Sequence, residues 1–359
     1  MRHRRVKDSC FAQVTMAIVR VMTKPTIGWR AGLVLAACIA VAATGCSSSS
    51  TTSSAGAKKP AATGEAKVAY ASSLEYLNEK LFVPAFTKAT GYKYTDWVNS
   101  AGALESDIAA GEISPNVFQS VGADNITPLE PKFTSWYVQY AGTSMVVAYN
   151  PKSKYASQFK AIASGKEPLK DLFLLMEKPG FKLGRTDPNI DPQGRSFIYM
   201  LELAQMAYHL PSDTVAKIIG TPFGSSSSSE IYAEASLDST LQSGQLDAAS
   251  AYQNQAIELH LPYIKLPPNI NLGDFADAAE YAKATVTITD NGQKATKTGS
   301  PLVLDVTTIG KPTAAAVAFV KFLLSPAGRK LYQQGGYTLL TPTGSGTNIP
   351  SAVKSELGG

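Results

Sequence analysis

The sequence predicts an α/β protein built as two lobes. Two observations carry that expectation. Strand-like and helix-like segments alternate along most of the chain after residue 66, the rhythm of βαβ units whose helices cover a largely parallel sheet. That stretch, residues 67–359, is about 290 residues long. One hydrophobic core usually stops growing before that size, so the chain divides.

The residues ahead of it read as an export leader and a tether. Residues 31–43 (AGLVLAACIAVAA) form a 13-residue apolar run flanked by Lys24 and Arg30. Spanning a hydrocarbon core takes roughly 20 residues, whereas a signal-peptide hydrophobic region has this length. The run ends Ala43-Thr44-Gly45-Cys46, which resembles the lipobox of bacterial lipoproteins. That resemblance makes residues 1–45 a signal peptide and Cys46 the lipidated first residue of the mature chain. A cleavable signal without lipid, or a plain membrane anchor, is the alternative. The segment before Lys24 is long for such a signal, which points to Met22 as the true start. Residues 46–66, rich in Ser, Thr and Ala, lack aromatics and apolar periodicity. They cannot bury enough surface to offset their ordering entropy and are expected to be a disordered tether.

The formal charge of +5 belongs mostly to the leader, which holds seven Lys/Arg and one acid, Asp8. The remainder carries 26 basic and 27 acidic residues, close to neutral, which argues against nucleic-acid binding. The cysteines are Cys10, Cys38 and Cys46, so nothing later can form a disulfide, a Cys-ligated metal site or a thiol nucleophile. With only His209 and His260 in the body, His-based catalysis and His-rich metal sites are poorly supplied. No G-x-S-x-G, P-loop or G-x-G-x-x-G segment is present.

The elements run in order along the chain. A β-like run at 67–71 leads through Ser72-Ser73 into a helix over 74–90, and a strand at 92–98 leads through Asn99-Ser100 into a helix over 101–110. Strands are expected at 116–121 and, most clearly, 144–149. A second set comprises a helix at 152–163, a strand at 182–186, helices at 194–210 and 237–243, and a strand at 248–252. Asp290-Asn291-Gly292 is a tight-turn signal, so residues 285–298 are expected to form a hairpin. A strand at 301–309 precedes a last helix from 313 to 328 and beyond, with Val317, Val320, Phe322 and Leu324 directed at a core. No internal repeat is evident.

Four stretches resemble the tungstate/molybdate-binding subfamily of solute-binding proteins that serve ABC importers: residues 183–194 (LGRTDPNIDPQG), 143–153 (TSMVVAYNPKS), 263–273 (YIKLPPNINLG) and, less specifically, 318–330 (AFVKFLLSPAGRK). The similarity runs with gaps over residues 67–342. It implies a type II periplasmic-binding-protein-like fold in which each lobe is a mixed sheet flanked by helices and the ligand cleft lies between. Residues 67–148 with 301–345 would form lobe 1 and 149–300 lobe 2, crossing near Tyr149 and Pro301, with 346–359 a tail. It further implies no catalytic residue, cofactor or resident metal. The partners would be a small oxyanion and the permease subunits of an ABC importer. The protein itself would be a monomer, lipid-anchored to the outer face of the cytoplasmic membrane.

A tetrahedral oxyanion presents acceptors, so its site needs donors: hydroxyls, backbone N–H groups and helix N-termini. Ser72, Ser73 and Ser100 sit at strand-to-helix turns, and Gln193 and Gly194 open the helix after Asp191-Pro192. In the family one serine comes from the first such turn, matching Ser73 with Ser72 as neighbour. The second matches Ser100 or the Gly102-Ala103 position, and a tyrosine matches Tyr252. Thr143 and Ser144, in the resembling 143–153 segment, complete the candidates. The plainer readings are ordinary N-caps for the serines and a core aromatic for Tyr252. Tungstate-specific members complete octahedral coordination of the metal with one Asp and one Glu. The Asp matches Asp191, which read plainly is a helix N-cap. The Glu position, just before the tyrosine, holds Ala251. Glu230 or Glu234 would replace it only if the loop around residues 225–229 folds inward. A simple tetrahedral site is therefore expected, for molybdate or tungstate, with sulfate or an organic anion as alternatives.

An enzymatic alternative rests on Ser157-Gln-Phe-Lys160, Tyr252-Gln-Asn254 and Lys297-Thr-Gly299, which fit the SxxK, YxN and KTG motifs of serine β-lactamases and penicillin-binding proteins. Each motif fixes two or three residues, Ser157 lies inside a helical pattern, and only about 40 residues separate the second from the third.

Overall fold

The computed structural model of the protein describes residues 62–220, 230–290 and 292–358. The expected signal peptide, the lipidation residue Cys46, the tether up to residue 61 and the 225–229 loop lie outside the described residues. No helix among the described residues is long and apolar enough to cross a membrane.

In chain order the strands are β1 (Glu65–Ala71), β2 (Lys93–Asn99), β3 (Val117–Val121), β4 (Trp136–Gly142), β5 (Met145–Tyr149), β6 (Leu183–Gly184), β7 (Ala248–Tyr252), β8 (Tyr263–Lys265), β9 (Thr285–Asp290), β10 (Gln293–Thr298), β11 (Val303–Thr308) and β12 (Thr338–Gly346). They divide into a large sheet ordered β12-β4-β11-β3-β1-β2, a smaller one ordered β6-β7-β5-β8, and the β9–β10 hairpin. Both main sheets are mixed. The βαβ portion is parallel as its rhythm predicts, β1 pairing with β2 and β3, while β11, β4 and β12 add antiparallel strands. In the smaller sheet β5 is antiparallel to β7 and β8, and β6 is parallel to β7.

Some boundaries differ from expectation for physical reasons. Glu65 and Ala66, assigned to the tether, pair with Lys93 and Tyr94 and begin β1. The expected crossing near Tyr149 falls instead at Thr143-Ser144. Residues 145–149 form a fully buried central strand of the smaller sheet, flanked on both sides, and so belong to the second lobe. Strands β4 and β12 were not expected. Pro342 and two glycines mask β12, which tolerates them because it is an edge strand whose register shifts between Leu339 and Thr343. The last helix is two, Ala314–Leu324 and Pro326–Gln334, broken at Ser325, whose side chain caps the second. Its buried stripe is Ala316, Phe319, Val320 and Leu323, while Val317 and Phe322 are only partly covered.

The helix Pro192–Ala207 is buried without a break from Pro192 to Leu201, its apolar part from Phe197 onward packing in the core and its polar first turn, Gln193, Arg195 and Ser196, enclosed beside the cleft residues.

Candidate functional site

Three strand-to-helix turns converge. β1 ends at Ser72-Ser73, β2 leads to Ser100 as N-cap of the helix Ala101–Ala110, and Asp191 caps the helix Pro192–Ala207. A cavity of about 380 Å³ is lined by Ser72 and Ser100 from the large-sheet lobe and by Asp191 and Glu234 from the other. The Ser100 hydroxyl is enclosed there without a hydrogen-bond partner. The Tyr252 hydroxyl is buried beside Asp191, Glu234 and Ser196, outside that cavity's own lining, and Ser196 donates its proton to the Pro192 carbonyl at 2.7 Å. Buried donors left unsatisfied cost roughly 1–3 kcal/mol each, so native proteins rarely keep them without a use.

The carboxyls are the second feature. Asp191 accepts the Gln193 N–H at 2.8 Å, making it an N-cap and a cavity wall at once. Burial raises its pKa to about 6, against the lowering effects of that N–H and of Arg195. Glu234 is buried in the first turn of the helix Glu234–Gln242, and its Oε1 accepts from the amides of Gln193 (3.0 Å) and Gln255 (3.1 Å). Burial, then the charges of Asp191 and Asp238, push it well above the ordinary range, while the Ser73 N–H faces it from the opposite lobe. Burial and the charges of Asp191 and Glu234 raise Tyr252. Desolvated carboxyls this close bind protons readily.

The position of the second carboxyl corrects the expectation for Ala251. Successive residues of a strand face opposite ways. Ser250 and Tyr252 face the 192–207 helix, Ser250 donating to Gln193 Oε1 at 2.9 Å. Ala251 faces away into the cluster of Leu237 and Leu241. Glu234, on the cavity wall, brings a second carboxyl beside Asp191. Glu230 stands by Arg185, whose N–H donates to its carbonyl at 2.9 Å.

Of the expected residues, Ser72, Ser100 and Asp191 meet at the cavity. Ser73 lines an adjoining one of about 330 Å³ that shares Ser72 and Glu234 with it, and Tyr252 stands beside both carboxyls. The others are committed elsewhere. The Gln193 N–H is taken by Asp191, and its side chain holds Glu234, Gln255 (2.8 Å) and Ser250. Gly194 is explained by packing, since a Cβ there would meet Thr186 O at 2.5 Å and Pro188 N at 2.8 Å. Thr143 donates to Asn254 Oδ1 at 2.7 Å and Ser144 to Gln253 Oε1 at 3.2 Å, both on the crossing. They line a different cavity, with Lys265 and Phe275.

Sequence reasoning missed Arg195, Gln255 and Asn254. Arg195 is buried and reaches across the cleft, Nη2 lying 3.4 Å from Asp124 Oδ2 and from Asn125 Oδ1. Close by, Gly102 packs so tightly that a Cβ would lie 2.5 Å from Ile190 O of the other lobe. The lobes are thus in contact around the cavity. Among the described residues no group of three or more His, Cys, Asp or Glu could hold a metal ion. The three enzyme-like motifs fall in separate places. Ser157 is exposed on a helix packed against the edge strand β8, Asn254 is buried against Ser73, and Lys297 lines a cavity beside Arg195.

Residues 66–338 match the model of a family described as bacterial extracellular solute-binding protein. A solute-binding protein of Petrotoga mobilis is 28% identical over 240 residues, covering 65% of this chain and 71% of its own. The molybdate/tungstate-binding protein WtpA of Pyrococcus abyssi is 29% identical over 243 residues, covering 62% of this chain and 68% of its own. The solved periplasmic molybdate-binding protein of Azotobacter vinelandii has the same fold, with a TM-score of 0.51 at 18% identity over 76% of this chain and 99% of that one.

Proposed function

Because the chain belongs to the bacterial extracellular solute-binding protein family, we propose that it captures molybdate or tungstate between its lobes and delivers it to the permease of an ABC importer. We take residues 65–142 with 303–346 as one lobe and 145–298 as the other. The observation that carries the reading is the interlobe cavity in which the unpartnered Ser100 hydroxyl, with the Tyr252 hydroxyl nearby, faces the buried pair Asp191 and Glu234. Hydroxyl and backbone donors from both lobes fit the acceptor oxygens of a tetrahedral anion, whose binding draws the lobes together.

The carboxyl pair refines the ligand. A carboxylate repels an oxyanion unless it is protonated or bonds the central atom. Molybdenum and tungsten accept further oxygen ligands and sulfur in sulfate does not, so the pair favours the metal oxyanions and the octahedral mode. The name of the Pyrococcus relative agrees with this choice. Glu234→Gln keeps an acceptor for Gln193 and Gln255 but removes the anionic oxygen. Its affinity for tungstate, measured by calorimetry, is expected to fall by more than roughly tenfold, one 1.4 kcal/mol step. Unchanged tungstate affinity would leave a purely tetrahedral site.

Export and membrane attachment through a lipid on Cys46 belong to the same proposal, supported by the Ala43-Thr44-Gly45-Cys46 segment and by the family. Cys46→Ala is expected to move the protein from the membrane fraction of its cells to the soluble one. Retention in the membrane would exclude the lipid anchor. Binding and release as a monomer completes the proposal; sedimentation at micromolar concentration tests it, and a dimer would contradict it.

A further inference from the structure

We propose that Asn254 is a positioning residue, tying the Ser72-Ser73 loop of one lobe to the crossing between lobes so that the loop and Tyr252 meet the oxyanion as one unit. The inference rests on the oxyanion reading of the cleft and adds to it the means by which ligand contact becomes lobe closure.

Asn254 is completely buried and its side chain bonds in three directions. Nδ2 donates to the Ser73 carbonyl at 3.1 Å and to the Tyr337 hydroxyl at 2.8 Å, and Oδ1 accepts from the Thr143 hydroxyl at 2.7 Å. The Tyr337 hydroxyl itself donates to the Ser73 carbonyl at 3.1 Å, closing a triangle. The four residues come from distant parts of the chain. Ser73 follows β1, Thr143 is the crossing, Tyr337 leads into β12, and Asn254 stands two residues after Tyr252. The segment holding Asn254 is fastened to the crossing a second time, by the Gln253 N–H on the Ser144 carbonyl at 2.8 Å.

Ser73 is thereby gripped at both ends by the opposite lobe, its N–H facing Glu234 and its carbonyl facing Asn254. The direction of the Ser72-Ser73 donors is therefore set jointly by Asn254 and Glu234 of the lobe that carries Tyr252 and by Tyr337 of the loop's own lobe. These bonds also lie along the crossing, where a hinge rotation displaces atoms least. The contacts of Arg195 with Asp124 and of Gly102 with Ile190 also join the lobes, but through residues other than the crossing. A buried amide that only filled the core would need partners, but not these partners.

The test compares Asn254→Ala, Thr143→Val and Thr143→Ser with the unaltered protein. Molybdate affinity is read by calorimetry, ligand-induced contraction by small-angle scattering at saturating molybdate, and stability by thermal unfolding. Asn254→Ala and Thr143→Val are expected to lose roughly 10- to 100-fold in affinity and to contract less even at saturation. Thr143→Ser, which keeps the hydroxyl, should match the unaltered protein in both. If Asn254→Ala does not fold, Thr143→Val and Tyr337→Phe carry the test. Variants with a lower unfolding temperature but normal affinity and full contraction would overturn the positioning role while leaving oxyanion capture intact. An unaltered protein that binds no molybdate would overturn both.

Discussion

Glu258 shows how far a single side chain can depart from its ordinary chemistry in this molecule. It is buried on the wall of the cavity that adjoins the proposed anion site, and its Oε1 has no partner. Burial raises its pKa from 4.5 to about 8, despite the lowering effect of the Asn254 amide. The folded protein therefore holds a proton that the unfolded chain releases above the lower value. The stability this contributes is fully present below about pH 4.5 and is lost as pH rises toward 8. Glu258→Gln is expected to raise stability by about 2–4 kcal/mol at pH 8.5 and to change little at pH 4.5. Denaturant unfolding at the two pH values checks this; an equal effect at both would contradict it.

At this scale the sequence disclosed residues that obey local grammar. Ser72, Ser100 and Asp191, which line the cavity, were legible as positions because strand ends and helix starts are local patterns, and Tyr252 was a candidate only through the family resemblance. Glu234 was legible only as a conditional substitute and Asn254 only as part of a YxN match, since what defines them is a partner far away in sequence: Gln193 at a separation of 41 and Ser73 at 181. The Thr143 hydroxyl likewise has a distant partner, Asn254, that local sequence does not reveal.

Among the elements, the helix Ala101–Ala110 and the loop before the helix Pro192–Ala207 decide whether the lobes can meet. Gly102 is required by that approach, with Ile190 O only 2.5 Å from where a Cβ would stand. Gly102→Ala is expected to weaken oxyanion binding by roughly 10- to 100-fold, the equivalent of the 1–3 kcal/mol that overpacking costs. The effect should appear in the binding isotherm, with the unfolding temperature of the ligand-free protein little altered if its lobes stand apart. Normal affinity in this variant would mean that binding does not need the observed contact. The helices and the most apolar strands were legible from periodicity. The change of sheet was not, because β4 (Trp136–Gly142) went unrecognised and only the small residues at 142–144 separate it from the legible strand β5.

For the whole molecule the net charge misleads. The +5 of the full sequence resides in the leader, and the body is close to neutral, so long-range attraction contributes little to anion capture. On the proposed function, capture would come from local donors at the cleft, where Arg195 lies 3.4 Å from Asp124 Oδ2 and from Asn125 Oδ1. The fold class was legible from segment rhythm and length. The geometry of the cleft depends on topology, which no local pattern encodes. The most direct test is calorimetric titration of the purified protein with molybdate, tungstate, sulfate and phosphate. Saturable binding of molybdate and tungstate at one anion per chain, with sulfate and phosphate much weaker, is the expected result. Absence of heat for all four anions would contradict oxyanion capture.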